Sequence, residues 1–222
     1  MKKLILASAL FAGSFASHSL YASSMENVGL GINYGAFSGP SLELSYPISD
    51  TVQVRGALSG GMGLSETAKD TDIEYDVEAD GGIHRIALDY HPFANGFFLS
   101  AGYAINNFEL DASGSKSGSV TVGNDTFTGD VNINANIAWD NAPTLSLGWG
   151  HSPQQGLGFM IEAGAFFTGS PNTDINGTCT GTAPGACNGF DEALKDEEVK
   201  LQKDVADYDF LPMLQAGITY RF

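Results

Sequence analysis

The stretch Met213-Leu214-Gln215-Ala216-Gly217-Ile218-Thr219-Tyr220-Arg221-Phe222 sets Leu214, Ala216, Ile218, Tyr220 and Phe222 against Met213, Gln215, Gly217, Thr219 and Arg221. One set is apolar or aromatic, the other mostly small or polar, and the period is two. That is the pattern of a β-strand with one face in an apolar medium. The same rhythm recurs upstream. Val28, Leu30, Ile32 and Tyr34 oppose Gly29, Gly31, Asn33 and Gly35, and Leu42, Leu44 and Tyr46 oppose Ser41, Glu43 and Ser45. Further runs centre on Val52–Leu58, Ile86–Tyr90, Phe97–Ile105, Leu145–Trp149 and Leu157–Phe167, which makes eight strands in all.

The connections alternate in length. Pro47 to Asp50, His91 to Asn95 and His151 to Gln155 read as tight turns, while roughly 60–72, 110–130 and 170–208 read as long loops, with only 36–40 short among them. Short turns on one side and long loops on the other mark an outer-membrane barrel. A soluble barrel or a sandwich would bury its apolar set instead. The polar set carries Glu43, Arg55, Arg85, Asp89, Glu162 and Arg221, and every Arg of the chain lies in it. Three Arg and three carboxylates in a narrow lumen are tolerable if they pair. The Gly, Ala and Ser residues between them suit an interior that only just holds side chains. The expected fold is therefore all-β: an eight-stranded antiparallel up-and-down transmembrane β-barrel with lumen ion pairs.

Composition agrees. The chain has 222 residues, 10 Lys+Arg against 26 Asp+Glu, and a formal charge of −16. Nucleic acid is excluded as a partner, since phosphate attraction needs a basic surface. A mean hydropathy of −0.04 excludes a bundle of membrane helices. The 14 Phe, 8 Tyr and 2 Trp argue against disorder, and 28 Gly among 222 residues is well above the usual ~7%.

Lys2 and Lys3 followed by the apolar run Leu4 to Phe15 read as a secretory signal peptide within 1–22, cut after Ala16 or Ala22. One barrel domain, 23–222, is expected to follow. Losing Lys2 and Lys3 leaves 8 basic against 26 acidic residues, a charge of −18. Cys179 and Cys187, the only cysteines, flank a Gly/Pro loop, and in an oxidising compartment they read as a disulfide. None of the four His falls within that loop, so no metal site is expected, and no cofactor.

Asp72, Glu74, Asp76, Glu78 and Asp80 occupy alternate positions, as on one face of a strand raised above the membrane. In register with Ile86, Leu88 and Tyr90 they would face outward, near lipopolysaccharide; a bulge at Gly81-Gly82 would turn them over the mouth. They suit a solvated face, divalent bridging to lipopolysaccharide, or attraction of cationic solutes. The run from Phe190 to Asp207, with Asp191/Lys195 and Asp196/Lys200 at helical spacing, predicts a short helix in the last loop.

The Tyr220-Arg221-Phe222 end resembles the carboxy-terminal signal read by the barrel-assembly machinery, with Tyr220 and Phe222 in the outward set. Ala142-Pro143-Thr144-Leu145, Gly148-Trp149-Gly150, Gly156-Leu157-Gly158-Phe159, Gly164 and Thr168-Gly169-Ser170-Pro171 resemble the CarO-type outer-membrane protein family, as does Leu211-Pro212 entering the last run. The match runs over about 142–222. It implies a small eight-stranded barrel in the bacterial outer membrane that admits ornithine and other basic amino acids. The alternative is a structural or adhesive barrel, OmpA-like, whose acidic loops contact lipopolysaccharide or host surfaces. An enzyme is not expected: His151-Ser152, the only adjacent pair of base and nucleophile, falls in a tight turn on the side away from lipid A.

Overall fold

A computed structural model describes residues 27–68, 74–150, 155–181 and 183–222. The expected signal peptide, Asp72 and the His151-Ser152 pair lie outside the described residues. Eight strands close into a barrel: β1 (Gly29–Gly35), β2 (Gly39–Pro47), β3 (Val52–Ser59), β6 (Ile83–Tyr90), β7 (Phe97–Asn106), β10 (Ala142–Trp149), β11 (Gly156–Phe166) and β13 (Leu211–Arg221). They are the eight runs read from the alternation. The first strand shuts the cylinder, with Gly29 opposite both Ser45 and Arg221. Closure leaves no edge strand unpaired, the condition for crossing a bilayer on strands.

The faces are inside-out. Ile32, Leu42, Leu58, Ile86, Leu157, Phe159 and Ile218 point outward and are exposed, whereas Glu43, Arg55, Asp89 and Glu162 are buried. Tyr46, Tyr90, Trp149, Tyr220 and Phe222 ring the short-turn end, the place of an aromatic girdle. The turns there are fastened by side chains. Ser49 Oγ accepts from the Val52 N–H at 3.1 Å, and Asn95 Oδ1 accepts from the Phe97 N–H at 2.9 Å.

At the other end the segments expected as loops are largely strands. The β3–β6 connection contains β4 (Leu64–Ala68) and β5 (Tyr75–Asp80). The β7–β10 connection forms the hairpin β8 (Glu109–Val122) and β9 (Asp125–Ala138), and the β11–β13 connection contributes β12 (Asn172–Thr180) and α1 (Phe190–Val205). Together they make a second, five-stranded sheet in the order β12-β9-β8-β5-β4. Gly81 marks the passage from this sheet to the barrel wall. Its φ of +76° is left-handed, and a Cβ there would lie 1.6 Å from the Asn107 carbonyl oxygen, so only glycine fits.

The second sheet has its own core. Val120, Val122, Phe127, Val131 and Ile133 pack under Phe190, Ala193 and Leu194 of α1, with Tyr75 and Ile175 at the margin. The predicted helix thus exists and covers the sheet. Nearer the barrel, Ala79, Leu110 and Trp139 pack instead on a cluster of Ile83, Ala104, Phe108, Ala142, Phe166, Leu211 and Met213. Six of those seven belong to barrel strands, four of them (Ile83, Ala142, Phe166 and Leu211) as the strand-end residues next to the second sheet, so the sheet roofs the barrel mouth.

Candidate functional site

The lumen is built around Glu162 of β11. Its carboxylate accepts from Arg55 at 2.6 Å and 3.2 Å, from Arg85 through two bonds of 2.8 Å, from Gln215 Nε2 at 2.5 Å, and from the Ser146 hydroxyl. Arg55 also reaches Glu43 at 3.3 Å and Asp89 at 2.9 Å. Its guanidinium lies 5.2 Å from the centre of the Phe98 ring, a cation–π distance. Space for that ring comes from Gly148, where a Cβ would stand 2.5 Å from Phe98 Cζ. Asn33 donates to Glu43 at 3.0 Å, and Gln53 donates to Asp89 at 3.0 Å.

Five of the six charged residues expected in the lumen therefore meet in one network. Arg221 is placed differently. It donates to Gln53 Oε1 at 2.6 Å, to Ser45 Oγ at 3.5 Å and to the Asn27 carbonyl at 3.1 Å, so it reaches Asp89 only through the amide of Gln53. The physical reason is height along the barrel. Arg221 sits six residues along β13 from Gln215, the partner of Glu162, which is about 20 Å of strand. The neutral members Asn33, Gln53, Ser100, Ser146 and Gln215 share the inward parity, and that signal could have found them.

Above this ionic level the lumen is apolar. Phe166, Leu211 and Met213 face one another with Ile83, Ala104 and Ala142, and Met213 Sδ lies 2.8 Å from Arg85 Nη1, so the two levels touch. Phe108 stacks on Trp139 with centroids 5.6 Å apart and meets Phe37 edge-on at 5.6 Å, completing the roof. At the short-turn end His91 is buried, its Nδ1 2.9 Å from the Asn95 carbonyl oxygen. A charged group entering this lumen would have to displace ion pairs or cross hydrocarbon, and both are costly.

The outer sheet supplies the second surface. Register sets Ser65, Glu78, Asp111, Asn136 and Asp174 in one row, and Thr67, Asp76, Ser113, Asn134 and Asn176 in the next. Glu74, Asp76, Glu78 and Asp80 are all exposed, facing neither the mouth nor the barrel wall but the open face of this sheet. Its strands place no Lys or Arg on that face. Asn136 Nδ2 donates to Glu109 at 3.0 Å and to Asp111 at 2.9 Å, and Thr67 donates to Asp76 at 2.9 Å. A shallow depression of about 360 Å³ runs between Thr67, Glu74, Asp76, Ser113, Asn132 and Asn134.

On the opposite face Tyr75 is half-buried, and burial pushes its hydroxyl above the ordinary tyrosine range, with Glu197 adding to the effect. Cys179 and Cys187 are bonded, with Cα atoms 5.7 Å apart, and tie the end of β12 to the turn before α1. Tyr220 and Phe222 lie edge-to-face at 5.0 Å on the outside of the barrel.

No family model matches the chain, and neither does any curated protein sequence. Among solved structures the chain is similar to Acinetobacter baumannii CarO2, with a TM-score of 0.58 and 22% identity over 88% of this chain and 98% of that one. It is similar also to Acinetobacter baumannii CarO, with a TM-score of 0.58 and 23% identity over 87% and 97%. The chain thus has the fold of the CarO structures, a closed eight-stranded barrel with strands and a helix raised over one end.

Proposed function

We propose that the chain is a bacterial outer-membrane barrel that holds an acidic sheet above the surface, and that this sheet is its working face toward cationic molecules. The observation that carries the reading is the contrast between a lumen filled at two levels and an open sheet face bearing Asp76, Glu78, Asp80, Asp111, Asp130 and Asp174, on which the strands place no basic residue. A field of one sign concentrates counter-ions and speeds their arrival. Divalent ions bridging these carboxylates to lipopolysaccharide, or cationic groups of a host surface, fit the same chemistry. Tyr220 and Phe222 serve as the signal to the barrel-assembly machinery, and the segment 1–22 as the export signal.

The test is binding of a short lysine peptide to the full protein in lipid nanodiscs. Affinity should fall steeply with added salt and drop several-fold in the triple variant Asp76→Asn, Glu78→Gln, Asp111→Asn. Equal binding by the variant would defeat the reading.

A second reading, uptake of basic amino acids, is favoured by the same acidic face and by the likeness to CarO. It requires the lumen to open. Liposome swelling with ornithine against glutamate distinguishes it: faster swelling with ornithine supports uptake, and equal or absent swelling rejects it.

A further inference from the structure

Between the outer sheet and the barrel rim lies a groove of about 590 Å³, within the roughly 300–1,000 Å³ of small-molecule sites. We propose that it takes one acyl chain of an outer-leaflet lipid, entering sideways past Phe210 and Pro212. The inference rests on the membrane reading of the barrel but goes beyond it.

Three observations carry it. The first is the lining. Phe37, Phe108, Leu110, Ile137 and Trp139 form the walls, and Asp207 is the single charged residue. Trp139 Nε1 already donates to the Tyr208 carbonyl at 3.3 Å, so little hydrogen-bonding capacity is left for a polar guest. Water in such a space lacks the two to four partners it needs, and a cationic solute would surrender its hydration for one carboxylate. The groove's chemistry is opposite to that of the acidic face on the other side of the same sheet.

The second is continuity with the lipid-facing surface. Along β13 the outward positions are Pro212, Leu214, Ala216, Ile218 and Tyr220, and Phe210 precedes them in the same phase. Phe210 is 51% exposed and Leu214 57%. Pro212 thus belongs both to the groove and to the face that meets hydrocarbon, and an acyl chain can pass from one to the other without crossing a polar rim. The third is the floor. Leu211 lines the groove and packs with Phe166 and Met213, which close the lumen below. A chain that enters is held there and does not pass into the barrel.

The experiment uses the built-in probe Trp139. The chain contains two Trp, so Trp149→Phe leaves Trp139 as the single tryptophan. That protein is reconstituted into vesicles of phosphatidylcholine brominated on its acyl chains, and into unbrominated vesicles as reference. The expected result is loss of most Trp139 emission in the brominated vesicles, and its recovery when the groove is filled by Ala79→Phe or, independently, by Ile137→Phe. Heat-modifiable migration on gels shows that each variant is a folded barrel. Emission that stays high, or quenching that persists in both filled variants, overturns the proposal. Quenching by a free brominated fatty acid but not by the brominated phospholipid also overturns it, making the groove a site for a dissolved apolar solute. Failure to insert into vesicles at all would sink the membrane reading together with the groove, whereas insertion without quenching sinks the groove alone.

Discussion

Glu162 is the acceptor for two guanidiniums, an amide and a hydroxyl, all within a strand lattice that cannot shift to compensate. Replacing it by Gln keeps the shape but leaves Arg55 and Arg85 without their shared counter-charge. Breaking a buried pair by removing one partner costs about 3–5 kcal/mol, because the charge left behind stays unsolvated. Glu162→Gln should lower the stability of the refolded barrel by that order, read from urea unfolding in detergent micelles. Arg85→Gln in the same chain should restore part of the loss, since the pair then disappears together. A Glu162→Gln protein as stable as the parent would show that Glu43 and Asp89 carry the network alone. At this scale the sequence was half legible. Alternation places a side chain inside or outside but says nothing of its height, so it could mark six charged residues as inward and yet not separate Arg221 from the other five.

The elements divide by how their faces are covered. Each barrel strand shows lipid-type residues on one side, and the contrast with Gly, Ser and charged alternates makes it readable from order alone. The outer strands carry a weaker contrast. In β8 the run Ser113-Gly114-Ser115-Lys116-Ser117-Gly118-Ser119 has the composition of a linker, and its pairing with β5 and β9 is what holds it extended. In β9, Val131, Ile133 and Ile137 do alternate with Asn132, Asn134 and Asn136, so that strand was open to the same reading as the barrel. The helix was legible because its Lys and Asp spacing needs no distant partner. Its seat on the sheet yields a pH dependence. The Tyr75 hydroxyl is held above its ordinary value by burial first and Glu197 second. A raised value in the fold means the neutral phenol is favoured there. That stabilisation is intact below about pH 10 and is lost as pH climbs through the raised value. Amides of β5 and α1 should therefore lose hydrogen-exchange protection in alkali before those of the barrel, and Tyr75→Phe should remove the difference. Simultaneous loss in both proteins would assign the transition to another group.

For the whole molecule, the two closures of the lumen act in series. The ionic level joins β2, β3, β6 and β11 across the barrel through Glu43, Arg55, Arg85, Asp89 and Glu162, and the apolar level above it joins β6, β7, β10, β11 and β13. An ion meeting either one faces a barrier: at the first it must replace charge-assisted bonds, at the second it must shed water among hydrocarbon side chains. Barriers in series are not relieved by removing one. Phe166→Ala with Met213→Ala should leave planar bilayers silent, and so should Arg55→Ala with Glu162→Ala. Only the four substitutions together should give a conductance. Heat-modifiable migration on gels establishes that each barrel is folded before the recording. If either pair alone conducts, the other level is not a closure, and uptake through the lumen becomes the stronger account of the acidic sheet above it.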